Sequence, residues 1–273
     1  MIMQWIRDWD NAYTNGANIP RGERWPDAWV APAAAARASL GHRALIDLSY
    51  GPHARHRFDL FLPESEQKGL VVFIHGGYWL ESDKSFYSHL ANGPLTHGYA
   101  VAMPSYRLCP QVSIGEIGRD VAASIAAAAA RVDGPVILTG HSAGGHLAAR
   151  MVAEPSPLDA SVLARVRTVL PISGLADLRP LMKRAMNADL KIDEAEALRE
   201  SPALLRPLPG TRLIAWVGGA ERSEFRRQNA LLANIWRGLG AKTQVIEALD
   251  RHHYDVFDDL VDPDSDLVAM LLA

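Results

Sequence analysis

The sequence has a single cysteine, Cys109, so no disulfide bond can form within the chain. Its formal net charge is only −3 and its basic residues are scattered, which gives no reason to expect nucleic acid or an anionic membrane as a partner. No apolar run is long enough to cross a bilayer. The first ten residues lack the small-residue cleavage site of a secretory signal. These absences predict a soluble cytoplasmic protein.

Motifs for metals and nucleotides are also missing. His53 and His56 are three positions apart, but no HExxH motif, paired cysteines or carboxylate–histidine cluster accompanies them. The glycine-rich segments match neither a phosphate-binding loop nor the dinucleotide fingerprint. We therefore expect a protein that uses no metal and no cofactor.

The apolar pattern alternates between strands and helices along the chain. Strands are predicted at residues 57–62, 70–74, 99–104, 136–138, 166–172, 212–217 and 243–248, and helices at 116–131, 145–153 and 224–239. This alternation predicts an α/β protein with a mostly parallel central sheet and helices on both faces. A chain of 273 residues can form one such domain.

Two segments lie outside this alternation. Residues 1–40 carry several tryptophans between polar stretches, and we interpret them as an N-terminal extension packed on the core or over the site. Residues 175–209 lack strand patterns and are rich in helix formers and prolines, which favours a small helical cap. Neither segment marks a convincing domain boundary, so residues 1–273 are predicted to form a single domain.

The segment Gly140–Gly144 reads G-H-S-A-G and lies between a predicted strand and a predicted helix. In this context G-x-S-x-G is typical of the nucleophile elbow of α/β-hydrolases. The tight turn exposes the Ser142 hydroxyl at the start of a helix, where backbone N–H groups favour developing negative charge. The pattern therefore predicts an α/β-hydrolase fold with Ser142 as nucleophile, against the alternative of a chance serine in a glycine-rich turn.

A serine nucleophile needs a base, and the base needs an acid that orients it. In this fold the chain order is Ser, then Asp or Glu, then His. Glu221 follows the predicted strand 212–217 and is the expected acid, while nearby Glu224 sits where a helix start would explain it. His252 and His253 both follow the last strand, and periodicity does not choose between them.

An oxyanion hole requires backbone N–H donors close to the nucleophile. Ala143, directly after the serine, is one expected donor. The others are Gly76 and Gly77, which follow the apolar strand 70–74 and let the backbone approach a substrate, with Gly77 preferred. His75, just before them, is expected to brace this loop by a hydrogen bond.

Two aromatic residues follow these glycines. Tyr78 and Trp79 are expected to line the acyl pocket and bind substrate, with ordinary core packing as the alternative.

Several motifs together resemble one branch of the α/β-hydrolases. His75–Trp79 (H-G-G-Y-W) and Gly140–Leu147 (G-H-S-A-G-G-H-L) look like those of the kynurenine formamidases, or arylformamidases, which are related to hormone-sensitive-lipase-like esterases. Further segments similar to this family are residues 50–63, 106–110, 173–181 and 224–228. The resemblance therefore covers most of the chain.

This resemblance implies roles for individual residues. The family's D-H-F-D ending aligns with His252–Asp255, which makes His253 the base. Its E-F-x-R-Q helix start aligns with Glu224–Gln228, which places the acid at Glu221, where relatives usually carry Asp. The reaction implied is hydrolysis of an aryl formamide, N-formyl-L-kynurenine, to L-kynurenine and formate.

Several alternatives stay open at this stage. The same machinery would serve a carboxylesterase for small acyl esters, and a binding protein on a hydrolase fold is a further alternative. The substrate carboxylate would need a cation or N–H donors; Arg107, Arg179 and Arg184 are candidates that also fit solvated surface positions. The expected partner is a small-molecule substrate, and oligomeric state, a homodimer included, is left open.

Overall fold

A computed structural model describes residues 5–273. Residues 1–4 lie outside the described residues. They belong both to the segment considered above for a secretory signal and to the predicted N-terminal extension. The strands are β1 Ala44–Ser49, β2 Arg57–Phe61, β3 Gly69–Ile74, β4 Tyr99–Pro104, β5 Val136–His141, β6 Val166–Ile172, β7 Arg212–Gly218 and β8 Lys242–Ala248. They form one eight-stranded sheet in the order β1-β2-β4-β3-β5-β6-β7-β8.

The sheet is parallel from β4 through β8, whereas β2 pairs antiparallel with both β1 and β4. Its mostly parallel character confirms the predicted fold class. The carboxyl ends of the parallel strands meet at one edge, where ligand sites of open α/β sheets form. The loops after β3, β5, β7 and β8 carry the predicted site residues, so the topology brings them to this edge.

Strand β1 was not among the predicted strands. Most of its residues are exposed, and its register shifts between Leu45 and Leu48, where Asp47 adopts a φ of +57°. An irregular edge strand of this kind shows neither a continuous apolar run nor a clean alternation, which are the signals that predict strands.

The helices are α1 Trp9–Tyr13, α2 Trp25–Leu40, α3 Asn92–Thr96, α4 Ile114–Ala129, α5 Ala143–Arg150, α6 Ala160–Leu163, α7 Asn187–Leu190, α8 Glu194–Glu200, α9 Ser223–Gly238 and α10 Asp266–Leu272. Predicted helices 116–131, 145–153 and 224–239 correspond to α4, α5 and α9. A capping box between Ser113 and Glu116 explains why α4 begins two residues before its predicted start. Across residues 5–273, none of the helices combines the length and apolarity needed to traverse a membrane.

The hydrophobic core has one cluster on each face of the sheet. Along β3, Leu70 and Val72 belong to the first cluster, while Val71 and Phe73 belong to the second. Successive side chains of a strand point to opposite faces. A strand that is apolar throughout is therefore one that helices cover on both sides.

The two segments outside the strand pattern have helical structure. The N-terminal segment contains α2, whose Trp29 is buried in the second core cluster. Residues 175–209 contain α7, α8 and short 3₁₀ turns at Arg179–Lys183 and Pro202–Leu204. Their separate roles as extension and cap stay a prediction.

Candidate active site

Ser142 lies at a sharp turn between β5 and α5. Its φ of +56° and ψ of −115° fall outside the regions that non-glycine residues usually adopt, so the backbone there is strained. The turn is held from the neighbouring strand, because the Ser142 amide donates a hydrogen bond to the Ile172 carbonyl at 2.8 Å. This geometry is the one expected of a nucleophile elbow.

The glycines around the serine are required by close backbone contacts. A Cβ atom on Gly144 would lie 1.9 Å from the Ile74 carbonyl oxygen, and one on Gly140 would lie 2.6 Å from the Gly144 carbonyl oxygen. Side chains at these positions would force β3, β5 and α5 apart. The motif is therefore a packing requirement of the elbow.

Glu221 and His253 meet beside this turn. Glu221 follows β7, His253 follows β8, and the Glu221 Oε2 atom lies 2.6 Å from Nδ1 of His253. Both side chains are almost completely buried. A buried carboxylate at this distance fixes the orientation of the imidazole ring and leaves Nε2 free for proton transfer.

The second oxygen of Glu221 has its own partners. Oε1 accepts a hydrogen bond from the Gly218 amide at 2.8 Å and another from the Ser173 hydroxyl. Ser173 directly follows β6, is fully buried and has a φ of +52°. Sequence reasoning missed this contact: the segment 173–181 matched the related family, but no pattern within the chain linked Ser173 to Glu221.

The competing sequence candidates lie in other contacts. Glu224 accepts a hydrogen bond from the Tyr13 hydroxyl at 2.8 Å and pairs with Arg227. His252 lies 3.0 Å from Asp255 and packs edge-on against Trp25. Of the two carboxylates and two histidines considered, the structure brings together Glu221 and His253.

The loop after β3 passes close to the serine. A Cβ atom on Gly76 would lie 3.2 Å from Ser142 Cβ, and Gly77 has a φ of +100° with its Cβ position only 2.4 Å from the Glu81 carbonyl oxygen. Ala143 is the first residue of α5, where amide groups have no acceptor within the helix. The predicted oxyanion donors thus flank the serine from two elements.

His75 braces the loop after β3 by a hydrogen bond. Its Nδ1 atom lies 2.8 Å from the Gly76 carbonyl oxygen, and its ring stacks on Tyr106 at 4.3 Å between centroids. Burial lowers the pKa of His75 to about 4, so the ring is neutral and donates from Nδ1. This contact matches the bracing role expected for His75.

The His141 ring packs against the ring of His253. Its ring centroid is 4.4 Å from that of His253 and 4.6 Å from that of Phe257. Burial, followed by the neighbouring His253, lowers the pKa of His141 well below its ordinary value. Burial therefore favours the neutral form of the His141 ring.

A cavity of about 170 Å³ opens beside Ser142. It is lined by Asn15, Pro26, Trp29, Gly77, Tyr78, Glu81, Ser82, Phe86, Tyr87, His141, Ser142, His253 and Tyr254. The N-terminal segment thus supplies part of the wall through Asn15, Pro26 and Trp29. The sequence had not indicated these residues as part of the site. Most of the large side chains in this wall are aromatic.

The two aromatic residues of the H-G-G-Y-W motif separate in space. Tyr78 lines the cavity, and its hydroxyl donates to the Tyr13 carbonyl. Trp79 is fully buried in the first core cluster and packs edge-on against His146, at 5.0 Å between ring centroids. The expectation that Trp79 lines the acyl pocket is therefore corrected: the turn after Gly77 directs its indole into the core.

None of the candidate arginines lines the cavity. Arg107 forms a bidentate ion pair with the carboxylate of Asp120, with N–O distances of 2.7 and 2.8 Å. Arg179 is held by Asp177 in the same manner, at 2.9 and 3.0 Å. Arg184 is buried with its guanidinium 5.0 Å from the centre of the Tyr78 ring, behind the wall of the cavity.

The histidine pair noted in the sequence has a local structural explanation. His56 Nε2 lies 3.2 Å from Asp120, and His56 Nδ1 accepts a hydrogen bond from the His53 amide. Within the part of the chain that the structure describes, no group of three or more His, Cys, Asp or Glu side chains is arranged to hold a metal ion.

Fold and site together define this protein as an α/β-hydrolase. A family model described as BD-FAE matches residues 58–204, and the chain belongs to that family. Among curated relatives, the kynurenine formamidase of Danio rerio is 28% identical, with 86% of this chain and 83% of the relative covered. That of Salmo salar is 29% identical over 84% and 81%, which confirms the resemblance noted in the sequence.

Solved structures agree with the α/β-hydrolase fold. A crystal structure from Silicibacter sp. TM1040, provisionally designated a thioesterase, is 48% identical, with a TM-score of 0.94 over 97% of this chain and 99% of that one. Esterase 2 of Thermogutta terrifontis, inhibited by tabun, is 16% identical with a TM-score of 0.65 over 84% of this chain and 95% of that one, and shares the fold.

Proposed function

We propose that this protein is a serine hydrolase in which Ser142 is the nucleophile, His253 the general base and Glu221 the acid that orients His253. The observation that carries the proposal is the 2.6 Å contact between Glu221 and His253 beside the strained Ser142 turn. The same arrangement of nucleophile, base and orienting acid performs acyl transfer on unrelated folds. It needs neither a metal nor an organic cofactor, because the base generates the nucleophile.

In the first half of the reaction, Ser142 Oγ attacks the carbonyl carbon while its proton passes to Nε2 of His253. The charge that develops on the carbonyl oxygen is stabilised by the amides of Ala143, Gly77 and Gly76. The bond to the leaving nitrogen or oxygen then breaks, and the leaving group takes the proton from His253. Glu221 stabilises the imidazolium formed between these two transfers.

In the second half, water attacks the acyl–serine ester. His253 accepts the proton of the water and returns a proton to Ser142 Oγ as the ester bond breaks. For a formamide substrate the intermediate is a formyl enzyme and the product acid is formate. The enzyme ends in its starting protonation state.

The preferred substrate is an aryl formamide, N-formyl-L-kynurenine. Support comes from the kynurenine formamidases that match most of this chain. It also comes from the cavity wall, where Trp29, Phe86 and Tyr254 offer flat apolar surfaces to an aromatic ring. A small formyl group suits the crowded space between the oxyanion loop and the serine, where a Cβ atom on Gly76 would lie only 3.2 Å from Ser142 Cβ.

A second candidate activity is hydrolysis of small acyl esters. Ester hydrolysis in general is favoured by curated relatives named as methylesterases, such as the Arabidopsis thaliana isoprenylcysteine alpha-carbonyl methylesterase, 26% identical over 78% of this chain and 57% of the relative. The machinery for both reactions is the same, so the wall of the cavity decides between them.

A comparison of kcat/KM for N-formyl-L-kynurenine and for p-nitrophenyl acetate separates the two candidates. We expect efficient deformylation of N-formyl-L-kynurenine. Turnover of the ester with negligible deformylation would replace the formamidase proposal with an esterase. Absence of turnover on both substrates, together with no covalent labelling of Ser142, would favour a binding protein.

A further inference from the structure

The side chains that line the cavity include a carboxylate but no lysine or arginine. The one carboxylate is that of Glu81. The arginines behind the wall are held by other groups: Arg184 lies against Tyr78 and near Asp10, and Arg55 donates to the Ser82 carbonyl and lies near Asp83. A ligand entering this cavity therefore meets negative and aromatic surface.

The backbone of Glu81 is held by a hydrogen bond, whereas its carboxylate forms no ion pair within the described residues. Its amide donates to the Gly77 carbonyl at 3.1 Å, which ties it to the loop that passes Ser142. Within residues 5–273 its carboxylate has no ion-pair partner. The carboxylate is close enough to Tyr254 to contribute, after burial, to the raised pKa of that phenol.

Asn15 contributes a second acceptor on the same wall. It is only 6% exposed, and its side-chain Oδ1 atom has no hydrogen-bond partner within the described part of the chain. A buried polar atom without a partner costs free energy, so it is retained where a ligand or an ordered water satisfies it. Asn15 comes from the N-terminal segment and Glu81 from the loop after β3, so two separate elements present acceptors to one cavity.

The aromatic residues of the wall favour the same kind of ligand. Trp29, Tyr87 and Tyr254 line the cavity, with Trp29 packed against Tyr87 at 5.6 Å and against Tyr254 at 5.7 Å between ring centroids. The faces of aromatic rings attract cations such as a substituted ammonium. Acceptors combined with aromatic faces are a common arrangement for binding an amine.

We propose that Glu81, with Asn15 and these aromatic rings, forms an ammonium subsite that makes the enzyme select substrates whose leaving group carries a positively charged amine. The proposal rests on the proposed hydrolase function for its catalytic consequence, and it names the substrate class more narrowly. In this proposal the enzyme recognises the ammonium group of an amino-acid-like leaving group. The sequence had instead suggested a cation that binds the carboxylate.

The test uses aryl acetates that share the same reacting ester and differ in the charged or neutral group at the end of a short side chain. The ammonium substrate is 4-(2-aminoethyl)phenyl acetate, the neutral one is 4-propylphenyl acetate, and the carboxylate one is 3-(4-acetoxyphenyl)propionate. We expect kcat/KM, corrected for the rate of hydroxide-catalysed hydrolysis, to fall in that order. Raising the ionic strength should compress the difference, since the interaction is electrostatic and partly open to solvent.

The variant Glu81→Gln removes the charge and keeps the shape. Exposed ion pairs contribute up to about 1 kcal/mol, so the ratio of kcat/KM for the ammonium and neutral substrates should fall about fivefold. Glu66→Gln is the matched control, because Glu66 is exposed and lies before β3, at the opposite end of the strand from the site. Asn15→Asp, which adds a negative charge to the same wall, should raise the ratio.

A measurement of ligand binding makes the test independent of turnover. Titration calorimetry with tyramine and with 3-(4-hydroxyphenyl)propionate compares the two charges without any reaction, and tyramine should bind more tightly to the wild type but lose that advantage in Glu81→Gln. If none of the acetates is hydrolysed while tyramine is still preferred, the hydrolase proposal fails and the subsite stands. Equal binding of both ligands, or an unchanged ratio in Glu81→Gln, would overturn the subsite.

Discussion

Glu221 uses its two carboxylate oxygens for different partners: Oε2 meets His253 at 2.6 Å, while Oε1 is held by the Gly218 amide and the Ser173 hydroxyl. The side chain is thereby fixed at both oxygens. These contacts hold the carboxylate in a defined orientation toward the imidazole.

The first prediction concerns the two neighbouring carboxylates. Glu221→Gln should lower kcat/KM by about 10³- to 10⁴-fold, because an amide cannot hold the imidazole tautomer or stabilise its charged form. Glu224→Gln should leave kcat/KM much closer to wild type and lower the Tm instead, because Glu224 holds Tyr13 and Arg227. Steady-state kinetics and thermal melts of both variants decide the matter; a larger kinetic loss in Glu224→Gln would show that the acid is misassigned.

The adjacent histidines provide the second prediction. His253→Ala should reduce turnover by about 10⁴-fold or more, since the nucleophile loses its base. His252→Ala removes a contact with Asp255 and packing against Trp25, and should cost far less in kcat. The two variants are compared in the same assay, and comparable losses of kcat would contradict the assignment of His253.

A third prediction tests Ser173 as a positioning residue. Ser173→Ala leaves one Glu221 oxygen with a single donor and should lower kcat about tenfold with little change in KM, because Ser173 does not line the cavity. The control is Thr139→Val, which removes another fully buried hydroxyl, bonded to the Leu170 carbonyl at 2.7 Å. Equal losses of Tm with no kinetic difference between the two variants would reduce Ser173 to a structural role.

The fourth prediction concerns pH and stability. Burial, and then the nearby Asp255 carboxylate, raises the pKa of Asp258 to about 7. The native state therefore favours the protonated acid. Its contribution to stability is greatest below the ordinary carboxyl pKa near 3.8 and is lost as pH rises through about 7, where the partly buried carboxyl must ionise.

Asp258→Asn removes that cost of ionisation. It should raise the Tm at pH 8 and raise it less at pH 5, where the native carboxyl is still protonated. The exposed Asp264→Asn serves as the charge-matched control. Thermal melts across this range check the sign, and a stabilisation by Asp258→Asn that is larger at pH 5 than at pH 8 would be inconsistent with it.

Much of the fold was predictable because central parallel strands are apolar on both faces. Residues 70–74 and 136–138 carry this signal directly, and the structure places strands there. Strand β1 was missed because an exposed edge strand with a register shift has no such pattern. Helix α2 was given no bounds from the sequence, because Pro32 interrupts its alanine-rich pattern. Its helical structure depends partly on burying Trp29.

The candidate site was predictable where local chain geometry demands particular residues. The elbow glycines follow from backbone contacts that exclude a Cβ atom, and the chain order of Ser142, Glu221 and His253 follows from the order of the strands. Long-range contacts were not predictable in this way. No local pattern links Ser173 to Glu221 or Asn15 to Glu81, and the inward turn of Trp79 depends on the positive φ values around Gly77.

The central claim is that Ser142 is a nucleophile activated by His253, and that Glu221 orients His253. Its most direct measurement is intact-mass and peptide mapping after incubation with a fluorophosphonate probe, which loses fluoride as the serine oxygen bonds to phosphorus. The account predicts one adduct per chain, located at Ser142, with rapid labelling of the wild type, strongly slowed labelling of His253→Ala and none of Ser142→Ala. Absence of an adduct on the folded wild type, or undiminished labelling of Ser142→Ala, would contradict it.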